Sequence, residues 1–333
     1  MKELLMLLRK GNKSAFIAAI VNAVIAIIKA VAYVLTGNVA MFAETLHSLG
    51  DAANQFFVFV GSALSKKAPT DRFPNGFGRL VNLVLLGAVL IVGIMSYETI
   101  KEGFSHIFHP TESTGFLISV TVLSAGILLE GFVLLKAMKE IVHGAGLQSK
   151  GLGIVADSFR HFSKAKPATK LVFLEDFVAT SGGALALIAI IISHYTPFHQ
   201  AEGIASILIG LMMFFVVGKV FLDNAAGALG ESDEEMEAHI GNIIINDPDV
   251  ADIEDLAVMK EGESVHVEVE IEIDPHMTIA QADVIKDRLE AKILSQPGVS
   301  DVIIEFDQND GVQNWNNENI DREKQDKNTD LKS

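Results

Sequence analysis

Six runs of about twenty apolar residues fill the first two thirds of this 333-residue chain: Phe16–Leu35, Val39–Leu64, Leu80–Tyr97, Phe116–Leu135, Leu171–Ser193 and Ile204–Leu222. A run of that length is what a helix needs to cross the hydrocarbon core of a bilayer. Inside that core every backbone polar group must be bonded within the protein, so uninterrupted apolar runs specify helices. The first run is too long for a signal-peptide core, lacks a small-residue cleavage site and is followed almost at once by the second, so it is expected to stay as a span.

Basic residues set the orientation. Lys2, Arg9, Lys10 and Lys13 precede the first run, and Lys66, Lys67, Arg72 and Arg79 lie between the second and third. Lys136, Lys139, Lys150, Arg160, Lys164, Lys166 and Lys170 lie between the fourth and fifth. The intervening connections, 36–38, 98–115 and 194–203, offer only Lys101. The positive-inside rule then places both termini in the cytosol, and the expected setting is the cytoplasmic (inner) membrane of a prokaryote.

After Asp223 the periodicity changes. Residues 233–246 read as a helix with Met236, Ile240, Ile243 and Ile244 on its apolar face, and 253–260 read as a strand. Val265–Ile273, V-H-V-E-V-E-I-E-I, alternates as a strand with one buried and one wet face does. Thr278–Leu294 reads as a helix with Ile279, Ala282, Ile285, Leu289 and Ile293 toward a core, and Val299–Phe306 as a third strand. The expected architecture is therefore an α-helical membrane protein with six transmembrane helices (1–223) plus a small cytosolic α+β domain of order αββαβ (224–310). The Asn-, Asp-, Gln- and Lys-rich stretch 311–333 is expected to be a disordered tail.

Composition enters at two points. There is no cysteine, which removes disulfides, thiolate metal sites and thiol nucleophiles and leaves His, Asp, Glu and backbone oxygen as ligands. The net charge of −16 is concentrated: residues 231–310 carry 23 acidic and 4 basic side chains. Such a surface argues against nucleic acid and against docking on anionic lipid.

Ionisable groups inside spans cost about 2.5–3.5 kcal/mol each on insertion scales, so each needs a reason. The second run carries Glu44, His47 and Asp51 in A-E-T-L-H-S-L-G-D, at spacings that put all three on one helical stripe, which Asn54 and Gln55 extend. The fifth carries Glu175 and Asp176, whose directions diverge by about 100° on a helix. A structural pairing of these groups with one another or with Lys29 is the plain reading. The alternative is a divalent-metal site, for which a His/Asp set suits Zn²⁺ while Mn²⁺, Fe²⁺ and Co²⁺ accept similar ligands. Lys29, about a turn and a half from the end of its run, reads most simply as a snorkelling side chain. Glu130 reads as a packing or entrance carboxylate, and the histidines of the outer connections as solvated.

Six spans with cytosolic termini, H-S-L-G-D in the second, an acidic fifth and an αββαβ domain together resemble the cation diffusion facilitator family. P-N-G-F-G-R at Pro74–Arg79 resembles that family's Pro-x-Gly-aromatic-Gly segment, and K-P-A-T-K-L-V-F-L-E-D (166–176) is most similar to the branch of the mitochondrial zinc transporter nine. The likeness covers residues 10–308. It implies divalent-metal/proton antiport by alternating access in a homodimer, with a ferredoxin-like cytosolic domain that helps the dimer form. His47 and Asp51 match the family's ligands in the second span, and Asp176 the last ligand in the fifth.

Three departures stand out. Val172 occupies the position four residues before that last ligand, where the family commonly has His or Asp, so water, Glu175 or Glu44 is left to complete the shell. The connection from the second to the third span has no His, so no metal site is expected there. Glu305 and Asp307 stand where bacterial members have His-x-Asp, which makes a cytosolic site, with or without His266, the less favoured reading. Two rival functions are a non-transporting membrane partner that kept the fold, and an intramembrane metalloenzyme. For the enzyme no H-E-x-x-H or comparable motif is present.

Overall fold

The computed structural model describes residues 6–111, 114–147, 149–162, 165, 167–262 and 264–315. It divides into two compact units, Met1–Ala63 with Val84–Asn224, and Leu64–Leu83 with the chain from Ala225 onward.

In the first unit the helices are α1 (Lys13–Thr36), α2 (Val39–Ser65), α3 (Leu80–Phe108), α4 (Phe116–Gly144), the short α5 (Leu152–His161), α6 (Pro167–Tyr195) and α7 (Gln200–Leu229). Local chemistry sets their ends. Asn12 caps α1 by accepting from the Ala15 amide, and Gly37, at φ 65°, ends it with its own amide on the Tyr33 carbonyl. Asn38 then accepts from the Met41 amide at 2.9 Å and starts α2 at once. Several helices outrun their apolar runs: α3 continues from Tyr97 to Phe108 and α4 from Leu135 to Gly144. Hydropathy marks only the part of a helix that matches lipid, whereas the helix itself ends where its caps are.

Five of these helices, α1, α3, α4, α6 and α7, are long and apolar enough to cross a membrane, which makes the chain an integral membrane protein. The 27-residue α2 is long enough, but its Glu44, His47, Asp51, Asn54 and Gln55 lower its hydropathy. Val34, Leu90, Leu117, Leu128, Phe132 and Phe215 all face outward and exposed. Small residues occupy the inside, where Ala40, Ala43, Ala186 and Ala205 pack with Met41, Leu123 and Ile209. Small contacts between helices and large apolar side chains toward the outside are the pattern of a bundle in lipid.

In the second unit α8 (Glu234–Ile245), β1 (Asp252–Glu261), β2 (Ser264–Ile273), α9 (Ile279–Leu294) and β3 (Val299–Gln308) follow in the expected order. The sheet runs β1-β2-β3, with β1/β2 antiparallel and β2/β3 parallel. Val265, Val267, Val269, Ile271 and Ile273 point into a core with Ile240 and Ile244 of α8 and Ile285, Leu289 and Ile293 of α9. Each such side chain contributes about 1.5–3 kcal/mol by leaving water. Ile279, expected in this core, is 90% exposed as the first residue of α9, whereas Ala282, three residues on, is buried in the core. Packing also reaches past the boundary expected at 310. Trp315 packs against the core, with its ring directly over Gly241 of α8, where any Cβ would overlap it. The rest of the expected tail, 316–333, lies outside the described residues, as do Ser163, Lys164 and Lys166 of the basic connection.

The Pro74–Arg79 segment belongs to this unit. A Cβ on Gly78 would stand 2.9 Å from the Glu261 carbonyl, so only glycine allows this approach to the β1–β2 turn. Arg79 Nε adds a contact of 3.4 Å to Glu261 Oε1.

Candidate functional site

The polar stripe of α2 meets α6 inside the helical unit. His47 Nε2 lies 3.5 Å from Asp51 Oδ2, one turn away on the same helix, with His47 buried and Asp51 41% exposed. The two line a cavity of about 40 Å³ with Asn54 of α2 and Glu175 of α6, and valines of α3, α6 and α7 complete the wall. That volume holds more than one water-sized occupant. Asn54 Nδ2 donates to Glu175 Oε1 at 3.3 Å.

The two adjacent carboxylates of α6 divide as their helical phase requires. Glu175 lines the cavity, whereas Asp176 turns aside and keeps Oδ2 buried without a hydrogen-bond partner. Both still lie within electrostatic reach of Asp51. Among the described residues no three His, Asp or Glu side chains close on a single point. Val172, one turn before Asp176, is 46% exposed.

Glu44 is engaged elsewhere. Its Oε2 accepts from Lys29 Nζ at 2.8 Å, and Glu130 Oε1 of α4 accepts from the same ammonium at 3.1 Å. Lys29 is 1% exposed and Glu44 fully buried, so Lys29 does not snorkel; it is the cation of an ion triad joining α1, α2 and α4. Gly182 and Gly183 of α6 make the room, since a Cβ on Gly182 would stand 2.9 Å from Glu44 Oε1.

A second polar group that sequence reading missed lies at the end of α3. His106, expected to be solvated, is buried with Nε2 3.2 Å from the His199 carbonyl and 4.0 Å from Glu202 Oε2 of α7. Its signal was its position at the end of a long helix, which hydropathy had truncated at Tyr97.

In the C-terminal domain His266 is flanked by Glu268 Oε1 at 3.1 Å and Asp301 Oδ2 at 3.2 Å. Glu305 pairs in register with Glu270 and Asp307 with Glu272. Burial first, then the Asp310 and Asp252 charges, raise the Glu272 carboxyl above the usual glutamate range. Burial and the Asp307 and Glu305 charges act on Glu270 in the same direction.

The helical unit thus holds a cavity lined by imidazole and carboxylates, and an acidic αββαβ domain follows it in the chain. The chain belongs to the cation efflux family: the cation efflux transmembrane domain matches residues 15–227, and the cation efflux protein cytoplasmic domain matches 232–309. It is 25% identical over 275 residues to the human mitochondrial proton-coupled zinc antiporter SLC30A9, covering 79% of this chain and 46% of that protein. The chain thus spans about half the length of the mitochondrial relatives it matches. It is 23% identical over 305 residues to the cation-efflux pump FieF of Shigella flexneri, covering 90% and 93% of the two chains. A probable cation efflux system protein of Mycobacterium tuberculosis is 24% identical over 276 residues, covering 82% of this chain and 76% of its own. The printed names of the family and of these relatives describe cation efflux and zinc antiport.

Proposed function

We propose that this protein exports a divalent transition metal, Zn²⁺ foremost, from the cytosol in exchange for protons by alternating access. The carrying observation is the His47–Asp51 pair, 3.5 Å apart on one helix and lining an intramembrane cavity with Glu175. His47, Asp51 and Asp176 bind the ion, with Glu175 as the further carboxylate in reach, and Glu44 serves the ion triad instead. Modest rotation of α6 brings Asp176 to the cavity. A ligating imidazole must be neutral, so metal entry expels a proton from His47 and reprotonation from the far side lowers affinity and releases the ion. Two carboxylates balance the charge of the ion.

In this reading α2 is the sixth span, both termini are cytosolic, and the membrane is the inner membrane of a prokaryote. The C-terminal domain, of ferredoxin-like type, pairs two copies into a homodimer. Uptake of Zn²⁺, Mn²⁺, Fe²⁺ and Co²⁺ into proteoliposomes under an imposed pH gradient tests this directly. Zinc-dominated uptake that follows the gradient supports it, and uptake of no metal supports the other reading, a non-transporting membrane partner. Val172 favours that second reading, because an apolar side chain stands where a ligand would complete the shell.

A further inference from the structure

Among the described residues, five polar side-chain atoms buried among α2, α4 and α6 have no hydrogen-bond partner: Glu44 Oε1, His47 Nε2, Glu130 Oε2, Asp176 Oδ2 and Thr180 Oγ1. They are neighbours rather than scattered defects. Asp176, Thr180 and Gly183 follow one stripe of α6, at spacings of four and three. A Cβ on Gly183 would stand 3.7 Å from both Glu130 Oε2 and Glu44 Oε2, and one on Gly131 would stand 3.8 Å from Thr180 Cγ2. The Glu130 carboxylate lies within electrostatic reach of Glu44, His47 and Asp176. The row therefore runs from the proposed metal ligands to the ion triad.

A buried polar atom left unbonded loses the hydrogen bond it made to water and gains nothing in its place. Five in one row need partners that the neighbouring side chains do not supply, the three carboxylate oxygens needing donors, and water and an exchangeable proton are the species small enough to serve. Charge leads to the same place. One ammonium faces two carboxylates, so the triad carries one negative charge more than it balances, and a proton on one carboxylate neutralises it. Glu44 lies closer to the Lys29 ammonium, which leaves Glu130 to hold the proton.

We propose that Glu130 is a proton-binding residue of the exchange cycle, joined to the metal ligands by this polar row. The inference rests on the metal/proton exchange proposed above. When the divalent ion arrives, its charge favours an ionised Glu130, and the proton leaves to the compartment that the cavity faces. When the cavity opens to the other side, a proton returns to Glu130 and the ion departs. Together with the proton that His47 gives up, the Glu130 proton balances the two charges of the ion, and Lys29 keeps its charge throughout.

The variant is E130Q, which keeps the shape and leaves Lys29 and Glu44 as a neutral pair. Full-length protein in detergent is titrated with zinc chloride by calorimetry in buffers of differing ionisation enthalpy, which counts the protons released. The wild type is expected to release protons, and E130Q about one fewer per zinc bound. An unchanged count in E130Q overturns the proposal while leaving the exchange reading intact. Zinc binding by the wild type with no proton release overturns both. Should E130Q fail to fold, zinc-induced difference infrared spectra of the wild type decide. Loss of a protonated-carboxyl stretch is expected, and no change in that band overturns the assignment.

Discussion

Replacing Lys29 by Met removes one charge while keeping the length and much of the volume of the side chain. In the wild type Nζ lies 2.8 Å from Glu44 and 3.1 Å from Glu130, at a position 1% exposed. At an effective dielectric constant near 20, the Lys29–Glu44 contact is worth about 6 kcal/mol of Coulomb attraction before desolvation is counted. Removing one partner of a buried pair typically costs about 3–5 kcal/mol, because the remaining charge is stranded. Here K29M leaves the Glu44 carboxylate without its cation and Glu130 without its partner, so a loss in that range is expected. At about 2–4 °C per kcal/mol, the apparent midpoint falls by roughly 10 °C. Thermal unfolding in a mild detergent, followed by circular dichroism at one fixed scan rate, reads this shift. The triple variant K29M/E44Q/E130Q carries no buried charge at the site and should recover most of the loss. A K29M midpoint equal to wild type would mean that this ammonium reaches water, and a triple variant no better than K29M would place the damage in packing rather than charge.

Three further outcomes follow from the C-terminal domain and the cavity. Trp315 is the single tryptophan, and G241A puts a methyl group where its ring lies; overpacking of about 1–3 kcal/mol should displace the ring and shift its emission to the red, and unchanged emission would refute the docking. The raised Glu272 carboxyl makes protonation favour the folded domain, so its contribution is fully present below the usual glutamate pKa and is lost as pH rises through the raised value. E272Q should therefore raise the domain's unfolding midpoint near pH 7.5, with the gain shrinking toward pH 4; a gain that grows on acidification would reverse the sign. H47D should keep zinc binding but change the pH dependence of transport, and identical pH profiles would remove His47 from the coupling.

Much of the architecture was legible because it rests on short-range periodicity. The strict alternation of Val265–Ile273 specified a half-buried strand, and the apolar runs located α1, α3, α4, α6 and α7. The spacing of Glu44, His47 and Asp51 likewise put them on one face of α2. What local pattern left open was which neighbour each face meets. Lys29 lies 15 residues from Glu44 and 101 from Glu130, so their meeting depends on how α1, α2 and α4 pack. The sequence offered pairing of Lys29 with Glu44 beside the simpler snorkelling reading, but nothing in it brought Glu130 to the same ammonium. The division between Glu175 and Asp176 was foreshadowed by their angular separation, yet which of them lines the cavity is set by the rotation of α6. His106 escaped because the apolar run ends about three turns before the helix does.

The central claim is that metal crosses through His47, Asp51 and the carboxylates of α6. Zinc uptake by proteoliposomes carrying wild type or D51A, at equal protein content and with an inward-directed zinc gradient opposed by a proton gradient, tests it most directly. Wild-type vesicles should take up zinc and lose protons, and D51A vesicles should do neither. Zinc flux through D51A at the wild-type rate would contradict the account and move the pathway away from this cavity.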